Sequence, residues 1–488
     1  MLSTIIVKEL NVLLRSPKFS ATLAVCSLLL LLSVYVGIRE YQSSVKQYEM
    51  AAQLANQEMR EQSSWMGLTN RIFRKPDPMQ IFVSGVNYDI GRWSSINQFS
   101  SVKLRHSAYS DDTIFAVFRF IDFNFIIMVV LSLFALLFTY DAINGEREAG
   151  TLQLSFSNAV PRAQFVLAKL IGSWLGLVLP LLIPMSLVLL MLFIFRIPMT
   201  GEHWMKLGLL LGASLLFFTF FTALGLMLSA TTRNSNTSFL LALVAWVMLV
   251  LIVPRVGVIV AGHLIPVPSV AEIEGQQDGF AKERWKQLDA NRESRWRGRE
   301  REMSSLSKEE REAYRDNHLW QWMEEEDLAR KGAQKEIDAY AVKLQEDLRN
   351  RQAAQQQLAF AVSRVSPASA FQLAAINLAG TDIALKSRYE DAMKVYREAF
   401  NQYADKKQKE SGGIGGIRVT VDTEQGVKFD VPRERGTLNI SDLPKFDNPR
   451  ETFRDAVTPT IFDLGLITLY AFVAFVVTFI GFLRYDVR

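Results

Sequence analysis

The chain has 488 residues, of which 49% are hydrophobic and 21% charged, with a formal net charge of +4. That length allows two or three structural units, and so small a charge gives no argument for nucleic acid as a partner. Cys26 is the only cysteine, which excludes a disulfide framework within the chain.

The averages conceal a segregated pattern. Apolar runs occupy 19–38, 123–140, 170–195, 207–230, 239–253 and 464–483, while most of the charge falls between 265 and 457. A helix needs about 20 apolar residues to cross the hydrocarbon core. Six such runs predict an α-helical polytopic membrane protein with six transmembrane helices. A buried helix of a soluble core is the ordinary alternative for one run, but not for six.

In chain order, residues 1–17 predict an interfacial helix. Leu2, Ile5, Ile6, Leu10, Leu13 and Leu14 share one face, with Lys8, Asn11 and Arg15 opposite. This is the pattern of a helix lying in the headgroup plane. Glu9 projects toward the apolar face, against that pattern, and Pro17 ends the helix. The first span, 18–38, is too long for the apolar core of a cleavable signal peptide and reads as a retained anchor. Residues 39–119 form a first outer segment. Its start, 39–66, continues as polar helix, and Pro76 and Pro78 then break regularity. The second span covers 120–140. After a loop at 141–163 come a third span, 164–195, kinked at Pro180 and Pro184, a fourth, 207–230, and a fifth, 237–253, which Pro254-Arg255 stop. Residues 254–266 read as a re-entrant or interfacial helix, whose stretch 256–264 is apolar but too short to cross.

A second outer segment covers 267–457, and the sixth span 461–484. Residues 276–356 contain no proline and are rich in Glu, Arg, Lys, Gln and Ala. Ile337, Tyr340, Leu344 and Leu348 mark an apolar stripe, so this stretch predicts long helices in an antiparallel hairpin. Trp285, Trp296, Trp320 and Trp322 read first as helix-packing or interfacial tryptophans, and otherwise as a sugar- or lipid-contacting set. A helical pair at 368–380 and 384–407 precedes a Ser-Gly-Gly-Ile-Gly-Gly linker at 411–416. Alternation at 417–422 and 427–431 predicts a small β-hairpin.

Sidedness follows from the short loops. Lys8, Arg15, Lys18, Arg147, Arg162, Arg233, Arg484 and Arg488 lie on one side, and the only short loop opposite offers Arg196 and Lys206. The positive-inside rule puts both termini in the cytoplasm and the mainly helical domain with its β-hairpin outside.

Catalytic chemistry is sparse. There is no Walker-type loop and no HExxH. His106, His203, His263 and His318 lack ligand spacing, so no metal is expected. No span carries paired carboxylates near its middle, which argues against an ion-driven relay. Uphill work would draw its energy from another subunit.

The loop at 141–163 is the most informative segment. It reads Asp141-Ala-Ile-Asn-Gly-Glu-Arg-Glu-Ala-Gly-Thr-Leu-Gln-Leu, then Val160-Pro-Arg and Lys169. Physically it offers Glu146, Arg147 and Glu148 to a partner surface with Leu152 and Leu154 beside them, or it is an ordinary amphipathic loop.

The Gly-Glu-Arg-Glu-x-Gly-Thr-Leu run, followed by Pro-Arg and a Lys at the next span, resembles the coupling-helix region of type-2 ABC transporter permeases. Lys8-Glu9-Leu10 with Arg15-Ser-Pro-Lys resembles that family's elbow helix, and the fifth span with Pro254-Arg255 and a short apolar stretch resembles its outer re-entrant helix. A subgroup with a large insert between the last two spans matches best, including the closing Phe482-Leu-Arg-Tyr-Asp-Val-Arg. The resemblance implies that Glu146, Arg147, Glu148, Gly150, Thr151, Leu152 and Arg162 couple to a separate ABC ATPase subunit. It places Lys8, Glu9 and Arg15 beside that contact, and Pro254 and Arg255 at an outer gate. It further implies a second permease chain, identical or related, and a surround of membrane lipids. The location would be the bacterial cytoplasmic (inner) membrane, with a periplasmic partner for the outer domain. The chain itself would be no enzyme and bind no cofactor, with ATP and Mg held by the partner subunit. The expected function is export driven by that ATPase. Two alternatives stand beside it: a mechanotransmitting subunit whose outer domain regulates another protein, and a stand-alone receptor or scaffold.

Overall fold

Ser16 accepts the Phe19 N–H on its hydroxyl at 3.2 Å and so separates α1 (Leu2–Leu14) from α2 (Pro17–Arg60). Pro17 takes the first helical position, where its missing N–H costs nothing. In this computed structural model α2 runs for 44 residues, about 66 Å at the rise of an α-helix. It is long enough to cross a hydrocarbon core of about 30 Å and continue well beyond it. The structure describes residues 2–63, 65, 67–97, 102–106, 121–157, 160–410, 418–422, 426–430 and 438–483. The linker at 411–416, the cations Arg484 and Arg488, and the side chains of Lys18 and Trp320 lie outside the described residues.

Among the described residues, six helical stretches are long and apolar enough to cross a membrane: Phe19–Arg60, Arg162–Ile194, Gly201–Thr231, Ser235–Leu264, Pro367–Gln408 and Phe453–Leu483. The predicted span at 120–140 is instead a shorter helix, α3 (Phe123–Leu137), wound as π-helix over Ile126–Leu131. The loop that follows carries α4 (Asn144–Glu148) and α5 (Thr151–Ser157). Next come α6 (Arg162–Ile194), with Pro180 and Pro184 inside it, and α7 (Gly201–Thr231), whose start is closed by a Thr200–His203 capping box.

Helix α8 (Ser235–Trp246) passes into a π-helical stretch, Val247–Ile252. Helix α9 (Val253–Leu264) follows with no coil between. Pro254 and Arg255 therefore lie inside helical backbone and do not end it. Pro254 has no N–H for the turn before it. The Leu249 carbonyl in that turn is instead taken by the Ser366 hydroxyl.

The stretch Pro367–Gln408 is two helices. α12 (Pro367–Ala379) stops at Gly380, whose φ of +65° only glycine adopts freely, and α13 (Ala384–Glu410) starts afresh. α12 has 13 residues, about 20 Å, too short to cross. It packs between α7 and α14 (Phe453–Leu483). Ala368, Ala370, Ala374 and Ala375 are fully buried, and Phe371 stacks on Phe217 at 4.6 Å. Placed in the outer domain by sequence, 368–380 is part of the helical bundle. Its alanines let neighbouring backbones close in, so protein covers its apolar surface on all sides.

The two segments that the sequence reading places outside share one core. Met59, Trp65, Leu68, Ile72 and Ile96 from the first are buried against Tyr389, Met393, Tyr396, Phe400 and Leu438 from the second. Strands β1 (Asn70–Phe73) and β2 (Trp93–Ile96), which the sequence did not predict, form an antiparallel pair there with Asn70 opposite Ile96. The Tyr396 hydroxyl accepts from Asn70 Nδ2 at 2.9 Å and donates to the Pro444 carbonyl at 3.0 Å. β3 (Arg418–Asp422) and β4 (Gly426–Asp430) pair antiparallel with Val421 opposite Val427, the predicted hairpin.

Residues Val253–Ser363 make a unit of their own. It holds α9, α10 (Val270–Ser304) and α11 (Lys308–Ser363), the last two forming the predicted helical hairpin. Arg295 meets Glu326 at 3.0 Å and Arg299 meets Glu325 at 2.6 Å between them. Phe280 stacks on Tyr340 at 4.1 Å. Trp296 and Trp322 flank the Arg299 guanidinium at 5.2 and 4.8 Å, so both serve hairpin packing.

Candidate functional site

The site begins with two glycines one helical turn apart. A Cβ on Gly172 of α6 would stand 2.7 Å from Glu9 Cβ, and one on Gly176 would stand 2.8 Å from Leu13 Cδ1. Residues four apart share a helix face, so the glycines make a shallow track for Glu9 and Leu13 of α1. Small residues of this kind let helices approach closely. Glu9 then lies where Lys169, on the preceding turn of α6, can reach it. Lys169 Nζ is 2.5 Å from Glu9 Oε1, and both residues are buried. The residue that breaks the amphipathic pattern of α1 is thus the one that binds it to α6.

Helix α4 closes the cluster. Glu146 Oε1 accepts from Lys169 Nζ at 2.8 Å and from Lys8 Nζ at 2.8 Å. Lys8, Glu9, Glu146 and Lys169 therefore alternate in charge and join three helices. Burial alone raises the pKa of the Glu146 carboxyl, and the Lys169 and Lys8 ammoniums more than offset it, holding the group below the usual carboxylate range. Thr151 Oγ1 donates to the Glu146 carbonyl at 3.2 Å, just past Gly150, which turns the chain with a φ of +72°.

A second set of bonds ties the same loop to the end of α7 and the start of α8. Asn144 is fully buried. Its Nδ2 donates to Thr232 Oγ1 at 3.1 Å, and Ser229 Oγ donates to its Oδ1 at 3.0 Å. Glu148 accepts the Ser235 N–H at 2.8 Å and the Ser235 hydroxyl at 2.9 Å, which caps the first turn of α8 and lowers the Glu148 pKa. Underneath, Leu152 is buried with Ile143, Phe165, Val166, Leu226 and Phe482. Arg162 Nη1 donates to the Leu483 carbonyl at 2.6 Å, fastening α6 to the end of α14.

This is a helical loop clamped between the amphipathic helix α1 and the ends of four helices, α6, α7, α8 and α14. The family model described as ABC-2 family transporter protein matches residues 3–487. The chain belongs to the ABC-2 transporter family. A relative, the probable ABC transporter permease protein NosY of Pseudomonas aeruginosa, is 32% identical over 142 residues, 28% of this chain. The match spans about half of that relative's length, 52%. The chain is an integral membrane protein of the permease type.

In this ABC-2 permease, the residues singled out from sequence divide into three groups. Lys8, Glu9 and Glu146 come together, with Glu148 and Leu152 close by on the same loop. Arg15, Gly150 and Thr151 are exposed, and Arg147 is half-buried. Pro254 and Arg255 belong to the other unit, where the Pro254 carbonyl accepts from Ser363 Oγ at 3.2 Å and Arg255 is exposed. Glu146 and Glu148, expected to face a partner, are both engaged by the bundle. The exposed face of the loop is Gly150, Thr151, Gln153 and Leu154, the last 67% exposed. Sequence reasoning missed Lys169 as a member of the site, although a cation at the base of an apolar span is itself a functional signal. It missed Asn144, Ser229, Thr232 and Ser235 because their partnership is not local. Among the described residues, no group of three or more His, Cys, Asp or Glu is placed to hold a metal.

A second charged cluster sits at the start of α7. Glu451 approaches Lys206 at 3.6 Å and Arg388 at 3.1 Å, and Arg388 also holds Asp382 at 2.7 Å. Burial raises the Glu451 pKa, with Arg388 and Lys206 opposing. This cluster fixes the turn after α12 to the chain that enters α14.

Proposed function

We propose that this chain is the permease subunit of an ABC exporter driven by ATP hydrolysed on a separate subunit. Both termini would lie in the cytoplasm, and two permease chains would pair around the pathway. The bacterial inner membrane is the location this reading requires. The observation that carries it is the Lys8–Glu146–Lys169–Glu9 cluster, which ties the 141–163 loop to both α1 and α6. A push on the exposed Gly150–Thr151–Leu154 face would be passed to two other helices without slack. A loop that served only as a connection would have no need of buried ion pairs on its inner side. ATP and Mg belong to the partner subunit, and this chain performs no chemistry of its own.

The test is co-expression with a cognate ABC ATPase and purification of the complex. Leu154→Asp is expected to abolish co-purification, because it charges the exposed face. Glu146→Gln is expected to keep the ATPase bound and to lower transport per ATP hydrolysed. Normal assembly of the Leu154→Asp complex with full transport would overturn the reading.

One observation favours a second reading. Helix α11 has 56 residues, about 84 Å, and pairs with α10 in a hairpin suited to act as a lever on another protein. ATP-dependent solute movement in proteoliposomes containing only the permease and its ATPase supports export. ATP hydrolysis without such movement supports the lever.

A further inference from the structure

A groove of about 650 Å³ opens on the small domain that the two outer segments build together. Its size is that of a small-molecule site, which runs from about 300 to 1,000 Å³. Three cations line it: Arg60 at the end of α2, Arg71 on β1, and Lys445 on the chain returning toward α14. No described Asp or Glu lines it. Arg71 is partly engaged, by Glu58 at 3.0 Å and by the Trp93 ring at 5.8 Å. Arg60 and Lys445 are exposed, and neither has a carboxylate partner among the described residues.

The groove also has an apolar base. Ile72, Tyr396 and Leu438 belong to the buried core beneath it. Tyr48, Phe73 and Phe446 add aromatic surface to its walls. Asn448, another lining residue, has a buried side-chain oxygen with no hydrogen-bond partner.

Cations without a carboxylate partner, here Arg60 and Lys445, concentrate anions in a concave site, and Arg71 adds a guanidinium that shares its charge with Glu58. Aromatic and aliphatic walls reward a ligand with a flat or apolar body. We infer that this groove binds a small organic anion built on an apolar or aromatic body, through Arg60, Arg71 and Lys445. The inference is independent of transport direction and of the ATPase partner.

The probe is pyranine, a pyrene bearing three sulfonates, which stays in water in the presence of zwitterionic lipid. The full chain is placed in nanodiscs of zwitterionic lipid, and pyranine fluorescence anisotropy is followed as protein is added. A saturable rise is expected. Arg60→Glu and Lys445→Glu are each expected to weaken binding at least tenfold. Lys335→Glu, an equal charge change on the exposed face of the α11 hairpin, is expected to leave binding unchanged. Inorganic sulfate is expected to displace the dye only at concentrations at least tenfold above those at which unlabelled pyrenetetrasulfonate does. Arg60 and Lys445 are exposed, and thermal melts of both variants check that the fold is kept. The inference is overturned if anisotropy does not saturate, or if the two groove variants bind like the wild type. It is overturned equally if Lys335→Glu weakens binding as much as they do, or if sulfate competes as well as the organic anion.

Discussion

Lys169 Nζ lies 2.5 Å from Glu9 Oε1, so α1 is fastened to α6 by a buried ion pair. The same nitrogen is 2.8 Å from Glu146 Oε1. One ammonium thus serves two carboxylates from two different helices, and Lys8 balances the second of them at 2.8 Å. Two positive and two negative groups cancel, which is the condition under which buried charges are tolerated. Any displacement of α4 must carry α1 and α6 with it or leave a buried charge unpaired.

Lys169→Met tests that coupling. The substitution removes the shared ammonium and leaves Glu9 buried without a partner. Breaking a buried ion pair from one side costs about 3–5 kcal/mol. A clear fall in the melting temperature of the full chain in nanodiscs is expected. Adding Glu9→Gln should restore much of the loss, because Glu146 keeps Lys8. Melting curves of wild type, single and double variants check this, and additive losses would show that Glu9 and Lys169 act separately.

Glu146 also predicts a pH dependence. Its folded pKa lies below the ordinary 4.5 because Lys169 and Lys8 outweigh burial. A depressed carboxylate contributes stability that is fully present above the unfolded value and is lost as pH falls through the folded one. Amide hydrogen exchange across 143–149 should therefore be slower in the wild type than in Glu146→Gln at neutral pH. The difference should narrow as pH drops below 4.5. A difference that stays constant from neutral to acid would mean the carboxylate charge plays no part.

Five of the predicted spans coincide with helices long and apolar enough to cross, because each of those apolar runs is long and local; the run at 123–140 forms only the shorter helix Phe123–Leu137. The loop at 141–163 was legible as a motif, but the direction its charges face was not. Glu146 reads as an outward charge on a short helix until Lys169 is placed beneath it. Glu9 reads as an irregularity for the same reason. Helix α12 was misplaced because a 13-residue, alanine-rich and mainly apolar helix carries no sign of whether lipid, water or protein surrounds it. The shared core was invisible because it gathers Met59 and Ile72 with Tyr396 and Phe400, residues that no local pattern connects.

Gly172 gives a steric test of the same joint. A Cβ there would meet Glu9 Cβ at 2.7 Å, closer than carbon atoms pack. Gly172→Leu should push α1 off α6 and pull Glu9 away from Lys169, at a cost of about 1–3 kcal/mol for overpacking. Gly208→Leu is the control, since a Cβ at Gly208 meets nothing within 4 Å. Cysteine cross-linking between α1 and α6, with Cys26 replaced, should fall in Gly172→Leu and stay normal in Gly208→Leu. Equal cross-linking in both would mean that the glycine track does not set the approach.

The ion pair at the other side of the bundle predicts an asymmetry. Arg364 Nε meets Asp463 Oδ1 at 2.6 Å and its Nη2 meets Oδ2 at 3.1 Å, a two-pronged contact with α14. The Tyr470 hydroxyl donates to the Arg364 carbonyl at 2.7 Å and holds that turn in place. The Asp463 side chain is 0% exposed, whereas Arg364 keeps 24%. Arg364→Leu leaves a wholly buried carboxylate with no counter-charge, and a loss of about 3–5 kcal/mol is expected. Asp463→Leu leaves a guanidinium that is less deeply buried and keeps the Phe462 ring at 5.2 Å, so it should cost less. The double variant, with both charges gone, should be more stable than Arg364→Leu alone. Thermal melts of the three variants in nanodiscs decide the point. If Arg364→Leu proves no worse than Asp463→Leu, the burial of Asp463 is not what makes this pair matter.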